Sequence, residues 1–143
     1  MLQTERRFCF RMKQIYINRN DKYLKGNLHT HTNASDGRYP VSEVVRIYTE
    51  KGYDFLGITD HDVYLRDRAE DAGLVVLAGE EVSCNYAGDD FYKAAYAHFC
   101  CFHKTRQVEN HFTYKNAEEL ADCISKICDR YEFVQFNHPM FTR

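Results

Sequence analysis

The chain has 143 residues, 44% hydrophobic and 28% charged, with 19 Lys plus Arg against 21 Asp plus Glu. That composition is that of an ordinary soluble globular domain, and the length falls short of the roughly 200 to 250 residues of a complete (β/α)8 barrel, so any barrel here is partial. A formal net charge of -2 and a pI near 6.4 exclude a global pull toward nucleic acid or anionic membrane.

Residues 1–22 read as an N-terminal arm. Its segment 8–17, FCFRMKQIYI, has the β-branched and aromatic content of an added strand, and 18–21 read as a turn. The first 25 residues carry seven basic and two acidic groups, net +5, which leaves the remaining 118 at -7. The charged start lacks the apolar segment of a signal peptide, and no apolar run approaches the roughly 18 residues of a membrane span. The six cysteines include no C-x-x-C pair and read as small apolar core residues in a reducing compartment. A cytoplasmic protein without membrane partners is the expectation.

From residue 23 to 143 a single α/β domain is expected. Short apolar runs alternate with helical periodicity, the pattern of βα units and a mostly parallel sheet. The first strand is expected over 23–30, followed by a polar loop over 32–39. A helix opened by Pro40 or Ser42 then places Val41, Val44, Val45 and Tyr48 on one face, and Gly52 stops it. The second strand covers 54–59, a short charged helix 64–72 ends at Gly73, and the third strand covers 74–78. The fourth strand covers 94–102. A second helix spans 116–131, capped by Asn116, and the fifth strand covers 132–136.

Functional side chains in such sheets gather where strands end. Here the ends read His29-Thr30-His31, Thr59-Asp60-His61-Asp62, Gly79-Glu80-Glu81, a strand holding His98, and Asn137-His138-Pro139. Five of the seven histidines, with carboxylates beside them, thus fall at or near strand ends, a coincidence that packing does not require. Residues at i and i+2 share a strand face, so His29 and His31 can serve one ion, and only one member each of Asp60/His61 and Glu80/Glu81 should face the site. Asp36, in the S-D-G turn, can close on the site from its loop. Imidazole and carboxylate without thiolate fit Zn, Mn or Fe, and a cluster of this size suggests two or three divalent ions.

The motifs HTHTNASDGRYP, GITDHD, GEEVS, AHF and NHP, in this order over about residues 23–140, resemble the polymerase and histidinol phosphatase (PHP) family. The resemblance implies a partial, distorted (βα)7 TIM-like barrel of about five parallel strands with flanking helices. It also implies a multinuclear metal centre that hydrolyses phosphate esters. His29 and His31 resemble the ligands of one ion, with Glu81 as the bridging carboxylate because the family pattern is G-x-E. Asp36 and His61 resemble ligands of a second ion, and His98 and His138 with Glu81 those of a third. Asp60 is expected to orient a ligand from behind. Arg38 is the candidate for gripping phosphate in a bidentate fork. His103 and His111 match no motif and read as loop or surface residues.

Family members continue past the H-P strand to an Asp-x-His element, which is absent before Arg143. The domain is therefore expected to be C-terminally incomplete. The Glu81/His98/His138 site is complete on this mapping, while the other two each lack a ligand, and a strand edge left bare after 136 invites association. Three explanations stay open: a fragment, completion by a second chain or copy, or a chain that works with fewer ions. A small phosphorylated substrate is the leading expectation. The alternatives are a 3' exonuclease-type module whose basic arm tracks nucleic acid, and a non-catalytic metal-binding remnant.

Overall fold

The structure, a computed structural model, describes residues 20–65, 73–88, 96–104 and 112–139. The expected arm strand, most of the expected helix over 64–72, Cys9 and His111 lie outside the described residues. Tyr64 and Leu65 are described and are not helical.

The described elements are β1 (Gly26–Asn27), α1 (Val41–Glu50), β2 (Phe55–Ile58), β3 (Val75–Tyr86), β4 (Ala97–Lys104), β5 (Phe112–Tyr114), α2 (Ala117–Cys128) and β6 (Tyr131–Phe136). They form a sheet of order β1-β2-β3-β4-β6, with β5 also paired to β3. Pairing is parallel for β1/β2, β2/β3 and β3/β5, and antiparallel for β3/β4 and β4/β6. The expectation of five parallel strands is therefore corrected to a mixed sheet. The reason lies in the connection over 87–96, which is shorter than the dozen or more residues a parallel crossover takes, so the chain reverses into β4. Cys84 pairs with both Ala97 and Phe112, which puts β4 and β5 on opposite edges of β3.

Strand lengths also depart from the sequence reading. β3 runs through Gly79-Glu80-Glu81 rather than ending there, because both carboxylates, fully buried, find partners inside the sheet. β1 is two residues long; Tyr23 and Leu24 are exposed, and beyond Asn27 side chains take over the pairing. The Asn27 amide donates to Thr30 Oγ1 at 2.9 Å and to Tyr48 Oη at 2.6 Å, and its carbonyl accepts from the His29 amide at 3.1 Å. β4 extends to Lys104, so His103 lies in a strand, at φ 54°, and not in a loop.

Both helices form for the expected reasons. Pro40 precedes α1, whose Val44 and Val45 are buried against Leu56, Ile58 and Val76 of β2 and β3. Asn116 caps α2 by accepting the Glu119 amide at 2.9 Å, while Glu119 accepts the Lys115 amide, also at 2.9 Å. The α2 residues Cys123 and Ile127 cover Val82, Cys84, Phe99 and Cys101. α2 ends at Cys128 and Tyr131 begins β6, so the expected helix end at 131 is three residues too late. Among the described residues no helix is long and apolar enough to cross a membrane. Cys84, Cys100, Cys101 and Cys123 are buried free thiols, and Cys128 is exposed.

Strand alternation sends one set of side chains to the helices and the other to the opposite, inner face. The inner set includes Gly79, Glu81 and Ser83 of β3 opposite Phe102, Cys100 and His98 of β4. The outer set includes Glu80, whose carboxylate accepts a 2.6 Å hydrogen bond from Tyr131 Oη across the sheet. Tyr131→Phe, which deletes that buried bond to a carboxylate, is expected to cost about 1.5–3 kcal/mol in urea unfolding. An unchanged midpoint would show that the bond contributes nothing net.

Candidate metal centre

Glu81 stands at the centre of the inner face because β3 stays regular through it. Its backbone is clamped on one edge by the residues that follow β2: the Glu81 amide donates to Asp60 O at 3.0 Å, and the Asp62 amide donates to Glu81 O at 2.9 Å. That bridge places His61 directly beside Glu81. On the other edge β4 brings His98, and the end of β6 brings Asn137 and His138. The segment after β1, aligned to β2 by the Thr59 amide donating to Thr30 O at 2.8 Å, brings His29 and His31.

Five imidazoles therefore surround one carboxylate. Glu81 Oε1 lies 3.5 Å from His29 Nε2, 3.5 Å from His98 Nδ1 and 3.3 Å from His138 Nε2. Glu81 Oε2 lies 3.0 Å from His31 Nε2 and 3.2 Å from His61 Nδ1. Asp36 closes the outer side, 2.6 Å from His31 Nδ1 and 3.8 Å from His61 Nε2. The seven residues singled out as ligand candidates, His29, His31, Asp36, His61, Glu81, His98 and His138, all meet here.

Alternation sorts the paired candidates. Glu81 and His61 face the cluster, whereas Glu80 faces Tyr131 and Asp60 turns to the loop after His31. Buried Asp60 accepts the Thr32 amide, the Thr32 hydroxyl and the Ser35 hydroxyl, each at 2.7 Å. It therefore orders the turn that carries Asp36, and none of these three bonds goes to an imidazole. Arg38 is exposed, with its guanidinium 5.3 Å from the Tyr39 ring centroid.

The same turn explains its glycine. A Cβ on Gly37 would sit 2.5 Å from the carbonyl carbon and oxygen of His31 and 2.7 Å from the Thr32 amide, atoms that cannot swing aside. Gly37→Ala is expected to push the turn off the His31 peptide and withdraw Asp36, weakening divalent metal binding about tenfold or more in calorimetric titration. Wild-type affinity in that variant would show that Asp36 is not placed by this contact.

Electrostatics match the geometry. Burial opposes a charge on Glu81, but the close approach of His31 and His98 and the Asn137 amide outweigh it and hold its carboxyl far below the usual carboxylate range. The nearby Glu81 oxygen, with Asp36, overcomes burial and pushes His31 up to about 9. For His29 burial wins over the pull of Glu81, lowering its pKa and favouring the neutral ring. Contact with His31 lowers Asp36 in turn.

Three buried polar atoms, His31 Nε2, Glu81 Oε2 and His98 Nδ1, complete no well-directed hydrogen bond. Such atoms are costly unless something else satisfies them, and all three are good donors to a divalent cation. Among the described residues, three sets of atoms lie close enough to hold an ion: His29, Glu81 and His138; His31, Asp36 and His61; His61, Glu81 and His98. These sets differ from those implied by the resemblance: His29 falls with His138 rather than with His31, and His61 belongs to two sets.

Sequence reasoning passed over Asn137, Cys100 and Thr59. The Asn137 amide donates to Glu81 Oε1 at 2.8 Å and to Cys100 Sγ at 2.9 Å, and the same sulfur lies 2.8 Å from His29 Nδ1. Burial pushes the Cys100 thiol up. The available signal was spacing: Cys100 is two residues from His98 on one strand and so must share its face.

The chain is 42% identical over 43 residues to the DNA polymerase/3'-5' exonuclease PolX of Bacillus subtilis (strain 168), a stretch covering 30% of this chain and 8% of that protein. The chain thus spans a small fraction of that relative's length. No solved structure matches the chain. The PHP domain family matches residues 27–116, more than half of the chain and inclusive of every ligand candidate except His138. The chain belongs to the PHP domain family.

Proposed function

We propose that the chain carries a divalent-metal centre for hydrolysis of phosphate esters, with small phosphomonoesters as the substrate class. The observation that carries this reading is the carboxylate of Glu81 within 3.5 Å of five imidazoles, with buried nitrogen and oxygen atoms that lack hydrogen-bond partners. His29, His31, Asp36, His61, Glu81, His98 and His138 would hold two or three ions, for which Zn, Mn and Fe suit the donor set. When bound, such ions lower the pKa of water toward neutrality and offset charge on the phosphoryl oxygens during in-line displacement.

The chain's own groups supply placement. Glu81, negative and central, keeps the imidazoles converged, and Asp60 holds the 32–35 turn so that Asp36 stays beside His31 and His61. Arg38, exposed two residues after Asp36, is assigned to grip the phosphate in a fork that lysine cannot copy. No side-chain nucleophile is required.

The test is turnover of an aryl phosphate with Mn(II) or Zn(II) by the wild-type chain and by His31→Ala. The expected result is metal-dependent turnover in the first and none in the second. Undiminished turnover in a folded His31→Ala variant would remove His31 from the centre, and a metal-loaded wild type without turnover would overturn the catalytic reading.

A second reading has one specific support, the similarity to a 3'-5' exonuclease-containing polymerase. On that reading the phosphate is a nucleic-acid 3' end, and binding of single-stranded DNA weakens steeply with salt. Absence of binding at low salt would leave the phosphomonoesterase.

A further inference from the structure

The two nitrogens of His29 face different surroundings. Nε2 points to Glu81 Oε1, among the atoms that can hold an ion with His138. Nδ1 lies 2.8 Å from Cys100 Sγ and 3.2 Å from Thr59 Oγ1. The sulfur is fully buried and is also the acceptor for Asn137 Nδ2, whose amide simultaneously donates to Glu81. A closed circuit thus runs from Glu81 to His29, Cys100, Asn137 and back to Glu81.

A neutral imidazole carries one proton. For Nε2 to present its lone pair toward Glu81 and His138, that proton must sit on Nδ1 and must find an acceptor. Thr59 Oγ1 is the more distant candidate and already accepts the Thr30 amide at 3.1 Å. A thiol sulfur has two lone pairs, and the His29 ring and the Asn137 amide converge on it from two sides.

We propose that Cys100 is a positioning residue of the metal centre. Its sulfur accepts the His29 Nδ1 proton and, through Asn137, ties the ring to Glu81, so that Nε2 is held ready to ligate. This inference rests on the metal-centre reading above. Partners of this kind, behind a ligating imidazole, fix its tautomer and orientation, and their loss typically lowers metal affinity about 10- to 100-fold.

Two readouts on the full chain test it. Long-range 15N correlation spectra of the imidazoles, recorded with chelator present, report the His29 tautomer, and calorimetric titration with Mn(II) reports affinity. In the wild type the Nδ1–H tautomer is expected to dominate. Cys100→Ser, which keeps an acceptor, is expected to preserve it. Cys100→Ala is expected to mix the tautomers and lower Mn(II) affinity about 10- to 100-fold, while Thr59→Val changes both much less.

A dominant Nε2–H tautomer in the wild type overturns the proposal, and this arm needs no variant to fold. It is also overturned if Cys100→Ala leaves tautomer and affinity unchanged, or if Thr59→Val alone reproduces the loss. A wild type that binds no Mn(II) refutes the metal-centre reading instead, and the tautomer comparison still decides the part played by Cys100.

Discussion

Glu81→Gln is expected to leave the fold standing while stripping the centre of metal and lowering phosphoester turnover by about 10³-fold or more. Glutamine matches glutamate in shape, and the β3 pairing on both edges of residue 81 runs through the backbone. What changes is the central charge. Two anionic oxygens that now face five ring nitrogens become one neutral carbonyl and one NH2 donor, and a donor pointed at imidazole lone pairs repels the ions those lone pairs would share. Metal content by elemental mass spectrometry, beside a thermal melt, reads both halves of the expectation. A folded Gln variant that keeps its full metal complement would show that the imidazoles and Asp36 suffice without the Glu81 charge.

The largest stability effect is expected from Phe102→Ala. Its ring is 1% exposed and lies across the inner face where two neighbouring strands carry glycine. A Cβ on Gly57 would stand 2.6 Å from the ring, and one on Gly79 would stand 2.8 Å from it and 2.9 Å from Cys101 O. Those glycines exist on this face because the ring takes their side-chain space. Removing it leaves a cavity that neither glycine can fill, so a loss of about 3–5 kcal/mol is expected. For a domain of this size that lowers the melting temperature by roughly 10 °C. A shift of only a degree or two would mean that the sheet collapses into the gap, which would also move Glu81 and His98 on the same strands.

Much of the centre was legible because strand alternation and strand ends obey short-range rules. A period of two says that His29 and His31 share a face and that only one member each of Asp60/His61 and Glu80/Glu81 faces the site. The resemblance, through its G-x-E pattern, is what picks Glu81, and the geometry gathers the seven ligand candidates in one cluster. Helix limits were legible to within a few residues where Pro40, Gly52 and Asn116 punctuate the chain. The direction of β4 was not, since apolar strands read alike whichever way they pair and only the length of the preceding connection argues for reversal. β5, three residues of F-T-Y, is too short to give a pattern. The sequence pattern ends β3 at residue 78 because charged residues follow the apolar run, although Glu80 and Glu81 continue the strand with buried partners. The contacts of Cys100 and Asn137 join β3, β4, the end of β6 and the segment after β1, which no local window contains.

Native mass spectrometry of the full chain, supplied with divalent ions and sprayed under conditions that retain them, tests the metal centre most directly. Two or three ions bound to each chain, lost together in Glu81→Gln, are the expected result. A folded wild-type chain that retains no ion would contradict the account.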